Sequence, residues 1–283
     1  MRDDFVFFIL SHGRPNDQYT LNLLLSAGYT GDWYIICDNL DESLDQYKEI
    51  YGDKIIVFDK DEWFDKTDTF ETSRDYRSVV YARNASIQIA KDMGYEYMAQ
   101  FDDDQKSFMI RYEMDDKLKS QKIDSNIDTV ISAFVDMLEE TPVEALAFGH
   151  GMNYIGGING PWQKQIGNFL YSTFFFKVDA DFEFRGLHNE DYILTSHYAK
   201  RGRLLYNIFT VQTHDFERGS NEGGLQGLYR DFTTYAVAFY AVIESPDSTK
   251  VRVDKRGDSN ISQPQRFRIP CVLNEKWRKS DAQ

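Results

Sequence analysis

The sequence predicts an α/β protein with a Rossmann-type mixed sheet flanked by helices, and three observations carry that reading. Phe5-Val6-Phe7-Phe8-Ile9-Leu10 is a continuous apolar run, the pattern of a parallel strand buried on both faces. Apolar strand runs alternate with helical segments over residues 5–59, the order of a doubly wound nucleotide-binding sheet. A further apolar run, 95–101, leads straight into Asp102-Asp103-Asp104. Three adjacent carboxylates repel one another unless something cationic sits beside them. A hard divalent ion such as Mg²⁺ or Mn²⁺ takes oxygen ligands and is completed by substrate phosphates.

The elements follow in order. The first strand ends at Ser11-His12-Gly13-Arg14-Pro15. Asn16 or Asp17 is the expected cap of the next helix, with Leu21, Leu24 and Leu25 on its inner face and Gly28 at its end. A strand at 33–37 ends in Asp38-Asn39, a helix covers 44–51, and a third strand covers 54–59. Residues 59–77 are polar and acidic and read as a long irregular loop. Residues 78–93 form a helix whose inner face carries Val79, Ala82, Ser86, Ile89, Ala90 and Met93, with Arg83 at the edge and Asn84 further round.

After Asp104 the chain reads as irregular to about Ser125, where Ser125 and Asp128 resemble a capping box for an apolar helix over 127–138. A short strand, 145–148, precedes a glycine-rich loop, 149–162, that carries Tyr154 and Trp162. Strand region 169–178 is followed by a helix opened by Asn189-Glu190-Asp191, with Asn189 as its cap. A strand over 204–211 ends in Thr213-His214-Asp215, a helix covers 229–243, and the tail from Pro246 shows little periodicity.

Composition bounds the function. The formal net charge is −14, which argues against broad non-specific binding to nucleic acid. Residues 250–283, however, hold nine Lys/Arg against four Asp/Glu. Such a basic extension suits local contact with phosphates, and equally a solvated tail. Aromatic residues reach 15%, which suits sugar- or base-binding surfaces as well as core packing. No run is long and apolar enough for a membrane helix. The start of the chain lacks a signal-peptide pattern, and Cys37 and Cys271 read as reduced thiols of a cytoplasmic protein.

This constellation resembles the nucleotide-sugar glycosyltransferases of the GT-A fold over roughly residues 5–220. The resemblance rests on Ser11-His12-Gly13-Arg14, Asp38, Arg83-Asn84, the aspartate triplet, Asn189-Glu190-Asp191 and His214. It implies a nucleotide-binding half, 1–104, and an acceptor half, 105–245, within one catalytic domain, followed by the basic extension 246–283. It also implies Mn²⁺ or Mg²⁺ held by Asp102, Asp104 and His214, with Asp104 the better direct ligand and Asp103 facing the ribose or the sheet. A UDP-sugar donor would be recognised by Ser11, Arg14, Asp38, Arg83, Asn84, Asp102 and Asp103. The acceptor-side carboxylates would be Glu190 and Asp191, with Asp191 the general base that takes the acceptor hydroxyl's proton.

Within that fold class, Phe7-Phe8-Ile9-Leu10-Ser11-His12-Gly13-Arg14-Pro15 and Tyr81-Ala82-Arg83-Asn84 are most similar to the TET/JBP-associated glycosyltransferases. Those include relatives of the base J glucosyltransferase, many carried by bacteriophages. The resemblance implies transfer of a sugar to the hydroxymethyl group of a 5-hydroxymethylpyrimidine in DNA, in the host cytoplasm if the enzyme is phage-encoded. Tyr154 and Trp162 would stack on a flipped base, while Arg252, Lys255, Arg256, Arg266 and Arg268 would meet phosphates. A glycan, lipid-linked or protein acceptor stays open at this point. A sugar nucleotidyltransferase would also use such a sheet and a metal, but its Gly-rich phosphate loop after the first strand is missing. A non-catalytic sugar-binding module has no use for three adjacent aspartates and an acidic pair.

Overall fold

The N-terminal apolar run becomes β1 (Phe5–Leu10), all six residues of which are buried. Its alternate side chains feed two cores: Phe5, Phe7 and Ile9 face one, Val6, Phe8 and Leu10 the other. This is why the strand shows no polar alternation. Around it the computed structural model describes residues 1–160, 169–215, 226–256 and 259–266. Strand β1 pairs in parallel with β2 (Asp32–Asp38) and with β4 (Tyr97–Asp102), and β3 (Ile55–Phe58) extends β2 in parallel.

Beyond β4 the sheet becomes mixed. There β8 (Thr173–Lys177) is antiparallel to β4, and β7 (Val143–His150) is antiparallel to β8. Next, β9 (Leu204–Asp215) runs parallel to β7, and β5 (Gln105–Met114) and β6 (Lys117–Lys122) complete the edge as an antiparallel pair. The nine strands lie in the order β3-β2-β1-β4-β8-β7-β9-β5-β6.

Helices cover both faces. On the first core lie α1 (Tyr19–Ser26), α2 (Leu44–Tyr51) and α5 (Ile127–Glu140). On the second lie α3 (Lys60–Lys66), α4 (Val80–Asp92) and α6 (Glu190–Ala199). The strand that carries the aspartates is pinned from below by Phe101, whose ring packs edge-on against Phe7, Phe148 and Phe175 at 4.6, 5.4 and 5.4 Å between centroids. Much of the aromatic content therefore serves the core. Helix α7 (Gln226–Glu244) packs on α6 and is followed by a separate hairpin, β10 (Thr249–Arg256) and β11 (Ser259–Arg266). Among the described residues no helix is long and apolar enough to cross a membrane.

Several local expectations are corrected. Residues 59–77 contain helix α3, capped by the Asp59 carboxylate, which accepts from Glu62 N at 3.1 Å. The stretch after Asp104 is the β5–β6 ladder, not an irregular segment. Its tip, Asp115-Asp116, has φ of 55° at both residues, the two-residue hairpin geometry that Asp tolerates. No capping box forms at Ser125: Asn126 lies at φ 58° without a side-chain cap, and Asp128 instead accepts from Thr30 N (3.1 Å) and Thr30 Oγ1 (2.5 Å). Asn189 is likewise no side-chain cap; at φ 54° its Nδ2 donates to Val237 O at 2.6 Å. Gln18, rather than Asn16 or Asp17, precedes α1. Leu25 and Met93, read as inner-face residues, are exposed. The tail read as aperiodic forms β10 and β11, while Trp162, Arg268 and Cys271 lie outside the described residues.

Candidate active site

The aspartate triplet sits where β4 leaves the sheet, and its backbone is fastened from α1. Thr20 N donates to Asp103 O (3.0 Å), Thr20 Oγ1 donates to Asp102 O (2.5 Å), and Gln105 N donates to Thr20 Oγ1 (3.0 Å). With the backbone fixed, strand alternation sends the three carboxylates different ways.

Asp102 faces α4 and α6. The Arg83 guanidinium lies between Asp102 (2.9 Å) and Glu190 (3.1 Å), over the rings of Phe174 and Phe184. Burial pushes the Asp102 carboxyl up to about 6; Arg83 opposes this, and Asp104, Glu190 and Asp215 add to it. Arg83 was expected at the edge of a buried face, yet it is 2% exposed. Its two carboxylate partners make that burial tolerable. Glu190 is buried as well, and the neighbouring Asp191, in the first turn of α6, is half-buried and accepts from Tyr192 N at 2.7 Å.

Asp103 turns inward and is fully buried. It accepts from Ser11 Oγ (2.5 Å) and pairs with Arg14 at 2.7 Å. Burial pushes this carboxyl up to about 7 against the pull of Arg14 and Ser11. The Ser11 hydroxyl also meets Tyr47 OH (2.6 Å) and accepts from Gln18 Nε2 (2.7 Å). Asp103, Ser11 and Arg14 thus form a buried network beneath the site.

Asp104 is half-buried, with Arg14 at 3.8 Å. Burial raises its carboxyl, Asp215 adds to the rise, and Arg14 opposes it. Asp215 ends β9 and is paired with His150 of β7 at 3.1 Å, while its Oδ1 is buried with no hydrogen-bond partner among the described residues. Asp215 and His150 were not anticipated. The motif Thr213-His214-Asp215 was in view, but which of its residues faces the triplet depends on the β5–β9 register and its irregularity between Gln105 and Ser107. His214, the residue expected to complete a metal shell, is exposed. Its imidazole is held below the ordinary value by partial desolvation and by the charges of Arg111, His150 and Lys106, against the pull of Asp215.

Two more expected contacts turn inward. Asp38 is buried and accepts from Lys60 Nζ (2.9 Å), Leu40 N (3.1 Å) and pairs with His12 Nδ1 (2.8 Å). Burial alone would raise its carboxyl, but His12 and Lys60 outweigh this and hold it low. Asn84 clamps the backbone of Phe184, donating to its O (2.9 Å) and accepting from its N (2.7 Å). What remains half-exposed at this sheet edge is His12. Tyr154, expected to be available for stacking, is 8% exposed, and its hydroxyl donates to Phe209 O at 2.8 Å.

Among the described residues no three His, Cys, Asp or Glu side chains are already gathered as a metal cage. A phosphate-bound Mg²⁺ or Mn²⁺ does not require one, because it keeps waters and takes only one or two carboxylates plus substrate oxygens. Asp102, Asp104 and Asp215 supply hard oxygen donors: Asp104 and Asp215 raise the proton affinity of Asp102, Asp215 raises that of Asp104, and Asp215 has an oxygen to spare.

The half-parallel mixed sheet flanked by helices is the fold of a GT-A glycosyltransferase. More particularly, the chain belongs to the TET-associated glycosyltransferase family, whose family model matches residues 5–223. Among solved structures it is similar to glucosyl-3-phosphoglycerate synthase from Mycobacterium tuberculosis, in complex with Mn²⁺, UDP-glucose and phosphoglyceric acid. The identity is 9%, covering 95% of this chain and 88% of that one, with a TM-score of 0.50. Mannosyl-3-phosphoglycerate synthase from Rubrobacter xylanophilus matches at 11% identity over 95% and 90% of the two chains, with a TM-score of 0.47. No curated protein sequence matches.

Proposed function

We propose that this glycosyltransferase moves a sugar from a UDP-sugar to the hydroxymethyl group of a 5-hydroxymethylpyrimidine in DNA, with Mn²⁺ or Mg²⁺ as the resident ion. The observation that carries the reading is the Asp102–Arg83–Glu190 bridge. It joins the expected donor-side aspartates to the expected acceptor-side helix, in a chain whose family is named for its association with TET proteins. The Mn²⁺ and UDP-glucose in the mycobacterial enzyme of the same fold motivate the choice of ion and donor.

Asp104 and Asp102 would hold the ion, with Asp215 as a third carboxylate. When bound, it stabilises the charge that develops on the departing diphosphate. Arg83 holds Asp102 in place, and the Asp103–Arg14–Ser11 network sets the strand end that carries Asp104. Among the remaining donor-side residues, His12 offers a half-exposed ring edge, while Ser11, Asp38 and Asn84 spend their polar groups inside the protein and act by positioning.

Asp191 is the general base. The hydroxymethyl oxygen bonds to the anomeric carbon, its proton passes to the Asp191 carboxylate, and the bond to the diphosphate breaks with its electron pair leaving on UDP. Positioned proton removal contributes about 10²–10⁴ in rate. Glu190, held by Arg83, keeps the start of α6 in register with Asp102.

The test is to incubate the protein with Mn²⁺, a panel of nucleotide sugars and hydroxymethylated DNA, digest to nucleosides and weigh them. A hexose or pentose mass on the hydroxymethylpyrimidine is expected from a uridine-type donor. Asp191→Asn should keep donor and DNA binding while transfer falls steeply. Modification of a glycan or protein, with hydroxymethylated DNA untouched by every donor, would replace this reading. Wild-type transfer by Asp191→Asn would reduce Asp191 to a helix-start carboxylate.

A further inference from the structure

The segment that enters β8, residues 169–172, is fastened to both sides of the site. Asp102 N donates to Ser172 O at 3.3 Å. On the other side Leu170 N donates to Thr195 Oγ1 (3.2 Å), which itself donates to Asp191 O (3.0 Å). Asn207 Nδ2 holds Phe169 O at 3.0 Å. Leu170 is fully buried in the second core, whereas Tyr171 beside it is half-buried. Ser172 stands at φ 31°, a left-handed conformation that serine seldom adopts. Backbone held in such a region persists only where its surroundings fix it, and it clusters at binding and catalytic sites.

Tyr171 is the middle of a row of rings that runs from one carboxylate to the other. Its ring centroid lies 5.6 Å from that of His150, the partner of Asp215, and 6.0 Å from that of Tyr192, the residue after Asp191. Tyr192 is itself stacked on Phe169, at 3.5 Å and 27°, and so stands as a fixed wall. Neither His150 nor Tyr192 lies flat on Tyr171, since their planes are inclined to it by 50° and 63°.

We propose that Tyr171, with Tyr192 as its wall, is the platform on which the acceptor pyrimidine stacks once it has left the DNA helix. The proposal rests on the reading of a hydroxymethylpyrimidine in DNA as the acceptor. A stacked base keeps its substituents in its own plane, so the hydroxymethyl arm reaches past the edge of the platform. Asp215 stands at one end of the row and Asp191 at the other, so the arm lies between the ion-bound diphosphate and the general base. Holding the two reacting groups in one place is what converts a chance encounter into an oriented one. The platform belongs to the acceptor half, because β8 flanks β4 on the side away from β1, β2 and β3. A base that is flipped out gives up its stacking in the helix, and a tyrosine ring replaces it without regard to which base is presented. Stacking needs no cation, so it suits a chain whose net charge is −14. The stacking expected of Tyr154, which is buried, falls to Tyr171.

The experiment compares the wild type with Tyr171→Phe and Tyr171→Leu. Initial rates of sugar transfer to a duplex and to a single strand, each with one 5-hydroxymethylcytosine, are measured over a range of acceptor concentrations, and UDP affinity in Mn²⁺ is measured by calorimetry. Tyr171→Phe keeps the ring and should behave as the wild type does. Tyr171→Leu should raise KM for both acceptors by roughly 10- to 100-fold, the range that one stacked base contributes, with the loss carried by KM rather than kcat and UDP affinity unchanged. A wild-type KM in Tyr171→Leu overturns the platform. A fall in kcat at unchanged KM makes Tyr171 a brace for Asp191 and overturns it too, as does a loss of UDP affinity, which puts the ring on the donor side. A second measurement needs no variant. With 2-aminopurine beside the target in the duplex, binding of the wild type should brighten its fluorescence as the target leaves the stack, and binding without brightening rejects the proposal. A wild type that modifies neither hydroxymethylated DNA while modifying another acceptor overturns the acceptor reading instead.

Discussion

Replacing Arg83 with Met tests how the site is held together. The guanidinium is 2% exposed, bridges Asp102 and Glu190, and lies over two phenylalanine rings. Met preserves much of the volume and removes the charge, so two carboxylates that shared one cation are left without it. Removing one partner of a buried ion pair costs about 3–5 kcal/mol. That is a large part of the roughly 5–15 kcal/mol by which a domain is stable. At about 2–4 °C per kcal/mol for a domain of this size, a loss of ~4 kcal/mol lowers Tm by ~8–16 °C. The sequence placed Arg83 at the edge of its helix face, where Arg83→Ala would weaken donor binding more than the fold. Its complete burial makes the two effects inseparable. The assay is thermal and urea denaturation without ligand, with Arg83→Met/Glu190→Gln alongside. Neutralising Glu190 removes one uncompensated charge, so the double variant should recover at least ~1 kcal/mol, a coupling typical of groups in direct contact. A Tm for Arg83→Met within about 2 °C of wild type, at most about 1 kcal/mol at this size, refutes the reasoning. So does the absence of any recovery in the double variant.

Saturating Mn²⁺ should raise the Tm of the wild type. Asp104→Asn should abolish that rise together with sugar transfer, Asp215→Asn should diminish it, and His214→Ala should leave it unchanged; transfer in the presence of a chelator would contradict the metal assignment. His12 offers a pH test. Asp38 raises its imidazole above the ordinary value, against burial and Lys60 and with help from Asp41. The stability it contributes is therefore fully present below about pH 6.5, the unfolded value, and is lost as pH rises through the folded one. Tm should fall as pH rises above about 6.5, and the fall should flatten in His12→Gln; an equal slope in that variant places its origin elsewhere.

The sequence by itself determined the strand–helix order and the position of the acidic triplet at a strand's end, because both are local. The unbroken apolar run of β1 can only be buried on both sides, and an apolar stripe at helical spacing can only face a core. Gly28, Gly94 and Gly202, all at positive φ, marked helix ends for the same reason. The hairpin after Asp104 went unread although Phe108, Ile110, Tyr112 and Met114 alternate along β5, because charged residues interrupt that line, β6 is almost wholly polar, and the pairing comes from β9 and from the turn at Asp115-Asp116. What the side chains of the site do was also decided only by tertiary structure. Ser11, Arg14, Asp38, Arg83 and Asn84 are individually plausible ligand contacts. Whether each faces a ligand or the interior depends on partners 17 to 107 residues away, among them Asp103, Lys60, Phe184 and Glu190. Asp215 rather than His214 stands by the triplet for a similar reason. Adjacent strand residues point opposite ways, and which one faces inward is set by the register of β9 against β5 and β7, with its irregularities.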